Sequence, residues 1–177
     1  MEKNYRVTTF VMDSGERYCM VVDRASGLPM YYPTLFLTTQ IRNKGNAFST
    51  TLAAANNLVL LLRFLESRDI NLEERLLTKD FFKPHEMDDL RDFAQRKQGR
   101  MPSKALSNPW LDDELANIVD NGTQHSRLTT FANYLRWYAM HLLKMPELDV
   151  GEQIKTMATQ IKVRRPSKKS RNSTLQD

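Results

Sequence analysis

The chain predicts a mainly α fold: a bundle of four or more helices with a small N-terminal β-hairpin or three-stranded appendage. Three observations carry that expectation. β-branched and aromatic runs separated by turn residues occur only before Pro33. Beyond Pro33, apolar residues recur in steps of three and four, the period of one helix face. A hydrophobic fraction of 41% with 9% aromatic residues, in 177 residues, is enough to build a real core.

Residues 1–32 form the appendage. Tyr5 to Met12 and Arg17 to Val22 read as strands, with Asp13-Ser-Gly-Glu16 as the turn between them. Asp23 to Pro29 is a second turn, leading to a short Met30-Tyr-Tyr32. Residues 33–165 form the helical unit. Pro33 suits the first turn of a helix, and Gly45-Asn46 ends it. The next helix runs from Phe48 to about Arg68, with Ser49 or Thr50 as its N-cap. Phe48, Leu52, Ala55, Val59 and Leu62 alternate in steps of four and three, and Leu58, Leu61 and Leu65 widen that face. So apolar a helix belongs at the centre of a bundle.

Leu72 to Phe82 reads as a short helical turn and loop. Pro84 to Gln98 is a helix with Met87, Leu90, Phe93 and Ala94 inward, stopped by Gly99. A basic loop, Gly99 to Pro109, precedes a short acidic helix from Trp110 to Val119. A long helix follows from Gly122 to Lys144, N-capped by Thr123 and ended by Pro146. Its core stripe is Leu128, Phe131, Leu135, Tyr138 and Leu142. The last helix, Asp149 to about Arg165, turns Ile154, Met157, Ala158 and Ile161 inward. Residues 166–177 form a polar, basic tail.

One cysteine, Cys19, excludes a disulfide framework within the chain and suggests an intracellular setting. No apolar run looks long enough for a membrane span, which needs about 18 residues, and the first residues carry no signal-peptide pattern. A cytoplasmic protein with no membrane partner is the expectation. The histidines show no metal-ligand spacing, and there is no glycine-rich phosphate loop or nucleophile elbow. No catalytic residue, metal or cofactor is therefore expected.

The net charge of +5 conceals a neutral body. Removing the six basic residues between Lys162 and Arg171, and the lone Asp177, leaves equal numbers of basic and acidic residues. The acids are unevenly spread. None occurs between Asp23 and Glu66, between Asp92 and Asp112, or between Asp120 and Glu147. A helix that lies beside a polyanion avoids carboxylates, so those gaps point to double-stranded DNA.

Two helix starts become candidate contacts. The first combines Thr123, Gln124, His125, Arg127 and Thr130, and the second Arg42, Lys44, Asn46, Ser49 and Thr50. A helix N-terminus offers free N–H groups to a phosphate, and Arg or Gln there can reach base edges in the major groove. Arg100 and Lys104 of the basic loop, with Arg164, Arg165, Lys168 and Lys169 of the tail, would add phosphate contacts.

Phe48-Ser-Thr-Thr-Leu to Arg63-Phe-Leu65 resembles the first long helix of the core-binding domain of tyrosine recombinases, the phage-integrase family. Thr123 to Leu142, with Arg127-Leu128 and Tyr134-Leu-Arg-Trp137, is similar to that domain's last long helix. Ser26-Gly-Leu-Pro29, Tyr31-Tyr-Pro33 and Leu37-Thr-Thr39 look like an extension in some integrase-like members. The resemblance implies a SAM-like helical half-clamp on duplex DNA at an attachment site. It also implies a linker beginning near Pro166 and a later catalytic domain whose tyrosine forms a 3′-phosphotyrosyl bond. A full-length parent would self-associate on DNA, and the piece alone is expected as a monomer. A helical protein-interaction module and a stand-alone DNA-binding regulator stay open as alternatives.

Overall fold

The computed structural model describes residues 4–97 and 117–167. Strands β1 (Tyr5–Val11) and β2 (Arg17–Asp23) form an antiparallel hairpin, in register from Tyr5 opposite Asp23 to Val11 opposite Arg17. β2 buries Cys19, Val21 and Val22 against the helices. A three-stranded appendage does not form. Pro29 makes only an isolated bridge to Val22, since proline cannot donate to a ladder. Tyr31 and Tyr32, expected as strand, open helix α1 (Tyr31–Phe36). Pro33 falls within its first turn, where backbone N–H groups have no intrahelical partner and none is lost.

The chain continues from α1 into a π turn (Leu37–Ile41) and a 3₁₀ turn (Arg42–Lys44). Here the Thr38 and Thr39 hydroxyls donate to the carbonyls of Thr34 and Leu35, at 3.0 and 2.8 Å. Gly45 ends the run in the left-handed region, φ 76°.

Helix α2 (Phe48–Ser67) is central and touches both strands and the helices Pro84–Gln95 and Asn121–Leu143. It buries Thr51, Ala54, Ala55, Leu58, Val59, Leu60, Leu61, Phe64 and Leu65. Of the expected face, Ala55, Leu58, Val59, Leu61 and Leu65 are buried, whereas Phe48, Leu52 and Leu62 are only partly covered. Contrary to the reading of short apolar runs, α2 is long and apolar enough to cross a membrane by length and composition. Half of its most apolar window is buried inside the protein.

Helix α3 (Leu72–Leu77) is capped by the Asn71 side chain, which accepts from the Glu74 amide at 3.2 Å. Arg75 then reaches Glu86 at 2.7 and 3.0 Å, tying α3 to α4 (Pro84–Gln95). α4 stops at Gln95, short of Gly99, which lies outside the described residues. Most of the expected acidic helix 110–119 also lies outside them. Its last residues are not helical: Ile118 bridges to Arg96.

The long helix α5 (Asn121–Leu143) is paired with α6 (Leu148–Val163). Leu128, Phe131 and Leu135 of α5 are fully buried, and α6 buries Val150, Ile154, Met157, Ala158 and Ile161. Phe36 joins α1 to this pair by edge-on contacts with Tyr134 and Trp137, at 5.3 and 5.4 Å.

Candidate nucleic-acid interface

The start of α5 is closed by the protein itself. Asp120, not Thr123, is the N-cap. Its carboxylate accepts from the Thr123 amide at 3.0 Å and from the Thr123 hydroxyl at 2.5 Å. Gly122 lies so close that a Cβ there would sit 2.9 Å from Oδ1 of Asp120. The Thr123 hydroxyl and amide hold the Asp120 carboxyl below the ordinary aspartate range. A negative group therefore already fills the place an incoming phosphate would take. This α5 terminus is not a phosphate cradle.

The expected cations are largely engaged within the fold. Arg127 donates from Nη1 to the carbonyl oxygens of Ala94 and Arg96, at 2.7 and 2.9 Å, closing the C-terminal end of α4. Burial lowers its pKa. Gln124 is only 5% exposed and donates to the Arg91 carbonyl at 3.3 Å. It is an internal strut and not a reader of bases.

Arg42 binds Glu16 of the hairpin turn through Nε and Nη2, both at 2.6 Å, and lies over the Tyr18 ring. Arg164 holds Asp88 at 2.7 Å and Arg165 the Thr129 hydroxyl at 3.1 Å. Asn46 donates to the Ile41 carbonyl. Lys44 makes one long contact, to Gln40 at 3.3 Å. His125 is partly buried, and its carbonyl accepts from the Thr129 hydroxyl. Arg100, Lys104, Lys168 and Lys169 lie outside the described residues.

What the fold does bring together is the middle of α2 and the outer flank of α5. Ala47 is the N-cap of α2 and supplies no side-chain bond, so neither Ser49 nor Thr50 caps the helix. Both are exposed in a first turn without acids. One row further along, Asn57 of α2 donates to Thr130 of α5 at 3.0 Å and reaches Ser126 at 3.5 Å. This polar seam runs on into a groove of about 450 Å³ between the end of α1 and α5. Gln40, Lys44, Thr130, Asn133, Arg136 and Trp137 line it, and no carboxylate does.

Sequence reasoning missed Asn57, Asn133 and Arg136. A signal existed for the α5 residues. Ser126, Thr130, Asn133, Trp137 and Met140 repeat in steps of four and three, opposite the core stripe. Chemically the flank offers hydroxyl and amide groups, two cations and an aromatic edge. Such groups contact phosphates and sugars, which sets position without reading sequence.

Comparison of the chain with protein-family models, with curated proteins and with solved structures finds no match.

Proposed function

We propose that the chain is a duplex-DNA-binding module, a SAM-like core-binding domain of a tyrosine recombinase or integrase. In that role it holds an attachment site for strand exchange by a separate catalytic domain. One observation carries the reading: the acid-free seam from Asn57, through Ser126 and Thr130, into the groove lined by Asn133, Lys44 and Arg136. The resemblance of α2 and α5 to the long helices of that domain supports it. The body is neutral overall, so attraction depends on where charge lies. Arg42, Arg68, Arg75, Arg91 and Arg164 spend their charge on the protein's own carboxylates, whereas Lys44 and Arg136 face no carboxylate in the groove.

In this mechanism α5 lies along the DNA by its flank and not by its capped end. The hydroxyls and amides take phosphate oxygens, and the open start of α2 adds backbone N–H groups. Lys44 and Arg136 neutralise one phosphate each.

The test is anisotropy of a labelled duplex against salt. Affinity falls as salt rises, with a log–log slope of about −0.9 for each neutralised phosphate. Combining Lys44→Ala with Arg136→Ala flattens the slope by about 1.8 and weakens binding of any duplex sequence. No binding at low salt, or an unchanged slope in the double variant, overturns the proposal.

A further inference from the structure

A second cavity, of about 450 Å³, opens away from the acid-free flank, between the hairpin, α1, the end of α2 and the start of α3. Five tyrosines line it: Tyr5, Tyr31, Tyr32, Tyr134 and Tyr138. Tyr31 and Tyr32 meet edge to face at 5.1 Å, and Tyr32 leans on Tyr138 at 4.4 Å. Glu66, Asp69 and Glu73 also line it, and no Lys, Arg or His does.

Those carboxylates stand apart from their neighbours in sequence. Asp80, Glu86, Asp88, Asp89 and Asp92 each hold an arginine. Among the described residues Glu66, Asp69 and Glu73 hold none. Glu66 accepts from the Asn4 side chain, a neutral donor. Tyr134 adds an independent sign. It is 2% exposed and lines the cavity, and its hydroxyl forms no hydrogen bond with the described residues. A hydroxyl without a protein partner at the wall of a cavity suits a polar occupant.

We propose that this cavity binds an organic cation, an ammonium or guanidinium group on an alkyl stem. Tyrosine ring faces attract such a cation and cover its stem, while the unpaired carboxylates supply the counter-charge. An anion would meet three negative groups, and an apolar ligand would leave the Tyr134 hydroxyl unsatisfied. The cation can come from a free polyamine or from an arginine side chain of a partner protein. The site is independent of the DNA-binding reading, and either can fail without the other.

The experiment is calorimetric titration of the full chain, at fixed ionic strength, with spermidine and with the blocked tripeptide acetyl-Gly-Arg-Gly-amide. Saturable binding is expected for at least one of them. Glu73→Gln and Tyr31→Leu each weaken it about tenfold, 1.4 kcal/mol in binding free energy. Both positions are exposed, Tyr31 by 68%, so the fold survives these changes, as an unshifted melting curve will show. Glu74→Gln removes the same charge just outside the cavity and leaves binding unchanged. Tighter binding of spermidine assigns the site to a small polyamine, and tighter binding of the tripeptide to a protein's arginine. Absence of saturable binding, or equal losses in Glu73→Gln and Glu74→Gln, overturns the proposal.

Discussion

Replacing Arg127 with alanine separates two roles for one side chain. In the sequence it stands at the front of an acid-free helix, where it would meet DNA. In the fold its guanidinium joins α5 to the end of α4 through the carbonyls of Ala94 and Arg96. A hydrogen bond from a charged donor contributes about 1.5–3 kcal/mol when buried. Arg127 is only partly covered, and water can reach carbonyls at a helix end, so the two bonds together contribute about 2 kcal/mol. For a chain of this size that corresponds to a fall in Tm of roughly 4–8 °C. Arg127→Lys keeps the charge but loses the planar fork, so it recovers part of the loss. The assay is urea and thermal unfolding followed by circular dichroism, with duplex affinity measured well below the transition. The account predicts a destabilised protein with near-normal affinity. An unchanged unfolding midpoint with clearly weaker DNA binding would refute it and return Arg127 to the interface.

Two further outcomes follow from the same structure. Leu135→Ala empties a fully buried position between α5 and its neighbours and costs about 2–5 kcal/mol, read as a lower urea midpoint at unchanged slope. The Asp120 cap gives a pH signature. Its carboxyl is held below the ordinary value of 3.8, so its contribution is fully present above that pH and is lost as pH falls through the lower folded value. The Tm difference between wild type and Asp120→Ala is therefore largest above about pH 5 and shrinks on acidification, as thermal melts across pH will show. A difference that grows in acid would contradict the cap.

Local periodicity made the long helices legible. α2, α5 and α6 begin and end within one or two residues of their expected bounds, because each carries a continuous apolar stripe and a clear stop. The hairpin was equally plain from β-branched runs around Asp13 to Glu16. Met30 to Tyr32 misled because aromatic residues favour strands, while Pro33 in the next position lets a helix begin there. The caps misled for a related reason. Asp120 precedes the apparent helix start, and from there it accepts from the amide of Thr123, the residue expected as the cap.

The candidate site was harder to see. Acid gaps drew attention to α5 and the start of α2, but they do not show which cations are already committed. Arg42 finds Glu16, Arg164 finds Asp88 and Arg127 finds the end of α4, all across long stretches of chain. No local pattern reports such pairs. Once they are subtracted, interest moves from the tip of α5 to its flank, where Asn133 and Arg136 had gone unnoticed.

The central claim is that DNA lies along the α2–α5 flank. Chemical-shift mapping of the full chain during titration with a short duplex tests it most directly. The account predicts perturbations clustered at Thr50, Asn57, Ser126, Thr130, Asn133 and Arg136, with the Tyr31–Tyr138 cavity unaffected. Perturbations confined to residues 168–177, or none at saturating duplex, would contradict it.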